Sequence, residues 1–251
     1  MRSKHWLWLL IGLLLGSQSL LLAQDSSTFI AFVGKRGENE DIFLTTQDNS
    51  ITYNLTNARS RDWHPSWASD GTRIAFSTDR DGNNEIYLME ANGQNPHNLT
   101  ANPASDTSPD WSPVAEELVF VSDRDGGFDL YIQDITSGAV RRLTNDAQAK
   151  SDPDWSPDGT HIVFWQLLDQ AAQLKMIEVA TGEVTLLLAE GQNQWPAWSP
   201  DGGRIAFFSP SADGRLALRL YTLEDGRITD LVSNGFDNAR PEWSPDGSRI
   251  A

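Results

Sequence analysis

The sequence predicts an all-β fold built from repeated four-stranded antiparallel units, and three observations lead to this prediction. A tryptophan recurs with a spacing of 43 to 45 residues from Trp67 onwards. An aliphatic residue follows each tryptophan at a fixed distance, and a phenylalanine then follows in four of the five copies. No segment beyond residue 28 shows a sustained 3.6-residue apolar period, which argues against helices. A period of about 40 to 45 residues with about four short strands is typical of the blades of a β-propeller.

The repeat is defined by positions counted from the tryptophan. The tryptophans are Trp67, Trp111, Trp155, Trp198 and Trp243. A proline stands two residues before each of them. The aliphatic residues seven positions later are Ile74, Leu118, Ile162, Ile205 and Ile250, and the phenylalanines are Phe76, Phe120, Phe164 and Phe207. The segment before the first tryptophan fits the same template with Ile30, Phe32 and Leu55.

Each unit divides into four predicted strands joined by turns. Residues 106–112 form a short strand that is entered through a proline, and Ser-Pro-Asp-Gly segments such as 156–159 have the residues of a tight turn. Residues 73–77 alternate apolar and polar side chains, as a half-buried strand does. A single blade cannot bury both faces of its sheet, so blades must stack around an axis. We expect the tryptophans to fill the gaps between blades, where each ring buries about 200 Å².

The number of blades follows from how the units are distributed along the chain. Five units precede Trp243, of which the first lacks its tryptophan strand, and Ile250-Ala251 lies within the second strand of a sixth unit. We expect residues 24–251 to be a propeller that is truncated at its C-terminus and six-bladed in the intact protein. The alternative is a five-bladed ring closed by the strand of Trp243.

The N-terminus has the pattern of a secretory signal. Arg2 and Lys4 precede an apolar run from Trp6 to Leu22, and Ala23 is a plausible cleavage site. The sequence therefore predicts a signal peptide over residues 1–23, with an uncleaved signal anchor as the alternative. Beyond it, no apolar stretch is long enough to span a membrane. In both cases the remaining chain is expected to be periplasmic or extracellular.

Composition excludes several classes of function. The chain has no cysteine, so disulfides, thiolate zinc sites and cysteine nucleophiles are excluded. Its formal net charge of −16 repels phosphate backbones and anionic lipid surfaces. Nucleic acid is therefore not an expected partner, whereas a basic protein, a cation or a neutral glycan remains compatible.

Residues 66–87 and 153–164 resemble the repeats of the TolB-like β-propeller family, a WD-like propeller repeat family, and the resemblance covers residues 29–251. It implies an exported propeller that binds envelope proteins. Two units depart from the pattern: Val114 to Glu116 replaces the usual turn, and Gln166 to Gln173 stands where other units carry Asp-Arg-Asp-Gly. Since such repeats also precede peptidase domains, the family does not by itself fix the function.

The motif Asp-Arg-Asp-Gly occurs at residues 79–82 and 123–126 and invites a calcium interpretation. An EF-hand loop needs its glycine at position 6 and a glutamate at position 12. Gly82 stands at position 4 and not at position 6, so a hairpin turn explains the same residues. We expect no cofactor, with calcium as the alternative.

The positions around each tryptophan vary while the scaffold is repeated, so they are the candidate binding residues. One residue before the tryptophan stand Ser66, Asp110, Asp154, Ala197 and Glu242, and three before it stand His64, Ser108, Asp152, Trp195 and Arg240. Strand alternation places both sets on the face opposite the tryptophan, towards the central channel. Asp62 and Asp106 are expected in the loops leading in. The predicted channel-mouth site is Asp62, His64, Asp106, Asp110, Asp152, Asp154, Trp195, Arg240 and Glu242. The alternative is that these side chains bond neighbouring backbone and bridge the blades.

No catalytic constellation is evident. The sequence lacks a Gly-x-Ser-x-Gly elbow, and its histidines do not have metal-ligand spacing. The leading hypothesis is an exported, non-enzymatic scaffold that binds an envelope or extracellular protein or a ligand. The alternative is the N-terminal propeller of a truncated prolyl-oligopeptidase-like serine hydrolase, and a third hypothesis is a carbohydrate or lyase-type propeller.

Overall fold

The computed structural model describes residues 29–46, 48–210, 216–232 and 240–250. These residues form nineteen strands and no helix, so none of them belongs to a helix that could cross a membrane. The all-β propeller of four-stranded antiparallel blades is thus confirmed, with five blades in the described residues. The predicted signal peptide at 1–23 lies outside the described residues.

The strands follow one another in sequence within each blade. Blade 1 has three strands, β1 (Phe29–Arg36), β2 (Asn39–Thr46) and β3 (Thr52–Asn54). Blade 2 contains β4 (Asp62–Trp67), β5 (Arg73–Thr78), β6 (Glu85–Glu90) and β7 (His97–Asn98). Blade 3 contains β8 (Asp106–Trp111), β9 (Glu117–Ser122), β10 (Asp129–Asp134) and β11 (Val140–Arg142). Blade 4 contains β12 (Lys150–Trp155), β13 (His161–Leu168), β14 (Ala171–Glu178) and β15 (Val184–Leu188). Blade 5 contains β16 (Gln194–Trp198), β17 (Arg204–Pro210), β18 (Leu216–Thr222) and β19 (Ile228–Val232).

A sixth unit begins after blade 5. Its described part is residues 240–250, in which Trp243 and Ile250 form an isolated antiparallel bridge. This pairing repeats the contact between the tryptophan and the aliphatic residue in the complete blades, for example Trp67 with Ile74. The sixth unit therefore starts as the other blades do, and a complete sixth blade stays a prediction.

The cores of the molecule lie between blades, as the sequence predicts. One cluster joins Ala75 and Leu88 of blade 2 to Trp111 and Phe120 of blade 3. The next cluster joins blade 3 to Trp155 of blade 4 in the same manner. Trp111 and Trp155 are each 5% exposed. Burial of such a ring contributes a few kcal/mol of hydrophobic stabilisation.

The Ser-Pro-Asp-Gly segments form the predicted turns between the first two strands of a blade. In blade 4, the Gly159 amide donates to the Ser156 carbonyl at 2.8 Å, and Gly159 takes a φ of +70°, which glycine adopts without strain. The Asp158 carboxylate accepts from the Ser156 hydroxyl at 2.6 Å and from the Thr160 amide at 3.0 Å. These bonds, the Ser156 bond first, lower the pKa of Asp158 to about 2.

The Asp-Arg-Asp-Gly hairpins also have a structural role, because their side chains bond other residues of the same blade. In blade 2, the Arg80 guanidinium lies 2.9 Å from the buried Asp62 carboxylate and 4.5 Å from the Tyr87 ring centre. The Asp81 carboxylate accepts from the Tyr87 hydroxyl at 2.6 Å, and the Asp79 carboxylate accepts from the Arg61 amide at 2.8 Å. Blade 3 repeats the pattern with Arg124, Asp106, Asp125 and Tyr131. Each carboxylate of the motif accepts a hydrogen bond from the protein, as a hairpin interpretation requires.

Blade 4 replaces this pattern by a different charge arrangement. Lys150 occupies the position of Asp62 and Asp106, 44 residues beyond Asp106. Its ammonium group is buried, lies 2.7 Å from the Asp129 carboxylate of blade 3 and bonds Asp146. Because the fourth unit has lost the arginine hairpin, an aspartate at this position would have been left unpaired. The lysine pairs instead with an acid of the preceding blade.

Replacing Arg124 by leucine should leave the buried Asp106 carboxylate without its ion-pair partner. Such a loss destabilises a protein by roughly 3–5 kcal/mol. Because the Asn102 amide still donates to Asp106 at 2.6 Å, we expect the lower end of that range in urea unfolding. The control is Arg141→Leu, because Arg141 is exposed and 4.0 Å from Glu117, and exposed pairs contribute about 0–1 kcal/mol. Equal losses for the two variants would contradict this account.

Removing divalent cations should leave the thermal midpoint unchanged. The carboxylates of Asp79 and Asp81, which a calcium ion would need as ligands, accept bonds from the Arg61 amide and the Tyr87 hydroxyl. The measurement is thermal unfolding with and without a chelator. A drop in midpoint that calcium restores and magnesium does not would establish the calcium alternative.

Candidate functional site

The innermost strands share an irregularity three residues before the tryptophan. The pairing register shifts in β4, β8, β12 and β16, and the residue at this position has a φ between +50° and +63° in all five units. An extra residue on one strand of an antiparallel pair is a β-bulge, which bends the strand and redirects a side chain. Strict alternation, from which the sequence interpretation started, therefore does not hold at this position.

The side chains one residue before the tryptophan connect each inner strand to the next blade. The Asp110 carboxylate accepts from the Trp155 amide at 2.9 Å. The Asp154 carboxylate accepts from the Trp198 amide at 2.7 Å. In blade 2, the Ser66 hydroxyl accepts from the Trp111 amide at 3.1 Å. Asp110 and Asp154 thus bond the backbone of the next blade, as the alternative interpretation of these positions predicts.

Three acids at this position, Asp110, Asp154 and Glu242, influence one another's ionisation through their charges and are called the carboxylate cluster below. Asp110 and Asp154 are half-buried, and Glu242 is exposed. Protein atoms around the cluster limit the solvation of its charges. This desolvation raises the pKa of Asp110 to about 6, against the hydrogen bonds from the Trp155 amide and Ser66.

The other two members are shifted in the same direction. Glu242 is exposed at its surface, yet neighbouring protein atoms and, secondly, the charge of Asp110 raise its pKa to about 7, against the lowering effect of the Arg240 charge. Desolvation, followed by the charges of Asp110 and Glu242, raises the pKa of Asp154 well above its usual range. The cluster therefore holds protons more tightly than isolated carboxyl groups do. It is a place where negative charge is concentrated and incompletely solvated.

The residues three before the tryptophan form a hydrogen-bonded chain. The Ser108 hydroxyl lies 3.0 Å from His64 Nδ1 and donates to Asp152 Oδ1 at 3.4 Å. The Arg240 guanidinium donates to the same Asp152 oxygen. Desolvation and then the charges of Arg240 and Arg61 lower the pKa of His64 well below its usual range, so this imidazole is neutral at pH 7.

The histidine, serine and aspartate of this chain are the residue types of a hydrolase triad, but their contacts have a different order. Ser108 lies between His64 and Asp152, so the carboxylate does not orient the imidazole. Ser108 is also only 4% exposed, so its hydroxyl is not open to a substrate. The contacts form a polar network that joins blades 2, 3 and 4 to the sixth unit, and they lack the geometry of an activated nucleophile.

The structure places six of the nine predicted site residues in two groups. His64, Asp152 and Arg240 belong to the hydrogen-bonded chain, and Asp110, Asp154 and Glu242 form the carboxylate cluster. Trp195 belongs to the same position of blade 5, where its ring contacts Phe208 edge-on at 6.2 Å. The prediction that Asp62 and Asp106 lie in loops is wrong. Each is the first residue of an inner strand, is fully buried and pairs with an arginine of its own blade.

Sequence reasoning missed Trp165, whose indole donates to Asp152 at 2.7 Å. The corresponding residue is Ser77 in blade 2 and Val121 in blade 3, so a comparison of the units at this position would have singled it out. Across the described ranges, no group of three or more histidine, aspartate or glutamate side chains has the geometry to hold a metal ion.

Replacing Asp110 and Asp154 by asparagine should flatten the pH dependence of stability. A carboxyl whose pKa is raised on folding favours the folded state when protonated. The wild-type free energy of unfolding should therefore fall as pH rises from about 4, the ordinary carboxyl pKa, towards the pKa of about 6 of Asp110. Asparagine keeps an oxygen for the Trp155 and Trp198 amides and carries no charge, so we expect each variant to gain about 1 kcal/mol at pH 7.

The control for this measurement is Asp158→Asn. The Asp158 pKa is about 2 in the folded state and about 4 in the unfolded chain, so above about pH 5 this carboxylate is ionised in both states and contributes no pH slope. Urea unfolding at a series of pH values should show the wild-type slope for this control and a shallower slope for the two cluster variants. Equal slopes for all four proteins would contradict the raised pKa values.

Comparison with known proteins agrees with this architecture. A model of the TolB beta propeller domain matches residues 22–194 and 152–251, which together cover most of the chain. TolB from Acinetobacter baumannii superimposes with a TM-score of 0.80 and 22% identity over 90% of this chain. The chain covers only 58% of that TolB, which is less than two thirds of its length. A protein described as TolB from Agrobacterium tumefaciens gives a TM-score of 0.69 and 25% identity over 82% of this chain and 80% of that one.

A more distant likeness extends to an enzyme. Puromycin hydrolase superimposes with a TM-score of 0.60 and 16% identity, over 84% of this chain and 37% of that protein, which shows a shared fold alone. No curated protein matches the sequence significantly. Because the family model covers nearly all of the repeat region, the chain belongs to the TolB β-propeller family.

Proposed function

We propose that this chain is an exported, non-enzymatic propeller that binds a basic segment of an envelope or extracellular protein at its central channel. The observation that carries the proposal is the convergence of Asp110, Asp154 and Glu242. No salt bridge between described residues includes any of the three, and the charge of Arg240, which pairs with Asp152, only partly offsets the shift at Glu242. Raised pKa values mean that a positive charge brought to the cluster would relieve both desolvation and mutual repulsion.

The surroundings of the cluster support a protein segment as the ligand. His64, which is neutral at pH 7, and Trp195 both stand three residues before a repeat tryptophan. This position therefore offers polar and aromatic contacts to a protein segment that binds the carboxylates. The net charge of −16 extends the attraction for a basic partner beyond the channel. The signal-like pattern of residues 1–23 supports export to the periplasm or the exterior.

A charge-matched comparison tests this proposal. The site variant combines Asp110→Asn, Asp154→Asn and Glu242→Gln. The control combines Asp158→Asn, Asp201→Asn and Asp246→Asn, which change the formal net charge equally at three Ser-Pro-Asp-Gly turns and, because their pKa values are lowered, remove at least as much charge at pH 7. Asparagine is used rather than alanine at Asp110 and Asp154 because alanine would leave the amides of the next blade without an acceptor.

The probe is a synthetic lysine- and arginine-rich peptide titrated into the folded protein at physiological salt. We expect the site variant to weaken binding about tenfold or more and the control to change it about twofold or less. Equal weakening by the two variants would mean that the peptide responds only to net charge. No binding to the wild type would overturn the proposal.

The hydrolase and lyase alternatives stay predictions. They differ from the binding scaffold in what the gene encodes after residue 251, since a following domain with a Gly-x-Ser-x-Gly elbow would favour the hydrolase. We also propose that the complete ring has six blades. A longer open frame that supplies the remaining strands of the unit starting at Arg240 would support this number.

A further inference from the structure

The carboxylate of Asp152 is the acceptor on which three donors of the hydrogen-bonded chain converge. The Trp165 indole donates to Oδ2 at 2.7 Å, and the Ser108 hydroxyl donates to Oδ1 at 3.4 Å. The Arg240 guanidinium also donates to Oδ1. Both oxygens are therefore oriented by neighbouring side chains, and a carboxylate held in a fixed direction suits the planar guanidinium group. Asp152, Ser108 and Trp165 are called the Asp152 site below.

The positive charge at this site comes from Arg240. An indole and a hydroxyl are neutral donors, so Trp165 and Ser108 orient the carboxylate without balancing its charge. Among the residues one and three before the five repeat tryptophans, Arg240 is the one cation at pH 7, because His64 is neutral. The one guanidinium that the chain provides at these positions is thus the one bound at the Asp152 site.

The contact between Arg240 and Asp152 is not imposed by the repeat. The bonds from His64 to Ser108 and from Ser108 to Asp152 join consecutive blades. Asp152 belongs to blade 4 and Arg240 to the sixth unit, so their contact passes over blade 5, where Trp195 stands at the equivalent position. The other four units have histidine, serine, aspartate and tryptophan where Arg240 stands. The arginine is therefore specific to this contact.

Arg240 lies between the Asp152 carboxylate and solvent. Its side chain is 36% exposed, whereas that of Asp152 is 8% exposed. Departure of Arg240 would therefore open the carboxylate to a ligand from the same side. The pKa of Glu242 is raised by its protein surroundings and by Asp110, and the charge of Arg240 opposes this rise. Arg240 thus already occupies, in part, the acidic region that the proposed function assigns to a basic partner.

We propose that the Asp152 site recognises the guanidinium group of an arginine: Arg240 fills the site in the free protein, and an arginine of the basic segment replaces it in the complex. This inference rests on the proposed function and names arginine, in preference to lysine, as the recognised residue. A guanidinium donates two parallel N–H groups to a carboxylate, whereas an ammonium acts as a point charge. Arg240 is therefore an internal competitor, and its removal strengthens binding.

A titration with a small guanidinium compound tests the site without any partner. Arg240→Ala vacates the site, ethylguanidinium chloride is the probe, and ethylammonium chloride is the control of equal charge. The readout is the indole N–H signal of Trp165 in NMR spectra, assigned from its loss in Trp165→Phe, because this group donates to Asp152. We expect a saturable shift with ethylguanidinium in Arg240→Ala, an affinity for ethylammonium about tenfold lower or less, and no shift in the wild type.

The control for this titration adds Asp152→Asn to Arg240→Ala, and the shift should then disappear. The dispersed signals of the other indoles show that each variant is folded. Arg240→Gln, which keeps an amide donor in place of the guanidinium, serves with the same expectation where the alanine variant does not fold. Equal affinities for the two cations, or no response to ethylguanidinium, would overturn the proposal.

A second experiment tests the exchange with a basic segment. Two peptides of equal length and charge, one with arginines and one with lysines, are titrated into the wild type, Arg240→Gln and Arg249→Gln. Arg249 is an exposed arginine of the same unit, so its variant has the same change of charge. We expect Arg240→Gln to bind the arginine peptide about tenfold or more tightly than the wild type does, and all other changes to be about threefold or less.

The outcomes separate this inference from the proposed function. Equal strengthening for both peptides would mean that Arg240 acts through its charge alone and would overturn the recognition of arginine. If neither peptide binds any of the proteins, the proposed function fails, and the ethylguanidinium titration still decides whether the Asp152 site exists. If that titration shows no binding while the triple cluster variant weakens peptide binding, this inference alone fails.

Discussion

The hydrogen bonds from the amides of Trp111, Trp155 and Trp198 to a side chain of the preceding inner strand are the contacts on which the arrangement of blades 2 to 5 depends. A blade of four short strands cannot bury both faces, so it must be held at a fixed distance from its neighbours. The apolar rings fill the gap between blades, but hydrophobic burial has no direction. The bonds of Ser66, Asp110 and Asp154 to the next blade supply direction, since each joins one side-chain oxygen to one backbone amide.

The β-bulge next to this contact determines which side chains reach the channel. The residue with positive φ is a histidine, a serine, an aspartate, a tryptophan or an arginine in the five units. A position that no unit fills with glycine is held in this conformation by its surroundings and not by local preference. As a result, His64, Ser108 and Asp152 can touch one another across three blades while the next residues continue the strand.

Much of the fold could be predicted because it depends on repetition. The 44-residue phase located the tryptophans, the phenylalanines and the turns, and each lies where the template places it. The bulge could not be predicted, because the positive φ falls on five different residue types and has no glycine signal. The burial of Asp62 was missed for another reason. Its partner Arg80 lies 18 residues away within a motif that resembles a calcium loop.

The fourth blade shows how repeats can be compared in more detail. Lys150 stands where Asp62 and Asp106 stand, in a unit that also has Gln166 to Gln173 in place of the arginine hairpin. When two positions of one unit depart from the template together, the side chains at those positions are expected to share a contact. In the structure, Gln166 and Lys150 both bond Asp146. The sequence contained this signal, but only a position-by-position alignment of the units displays it.

The same comparison separates architecture from function in the carboxylate cluster. Ser66 accepts a tryptophan amide without carrying a charge, and Ala197 occupies the equivalent position with no side-chain acceptor at all. A carboxylate is therefore not required to join two blades. Asp110 and Asp154 nevertheless carry charges that their surroundings disfavour, as the raised pKa values indicate. The fold can be built without these charges, and their surroundings disfavour them at neutral pH, so the architecture alone does not account for them; this is what supports the proposal of a positively charged partner.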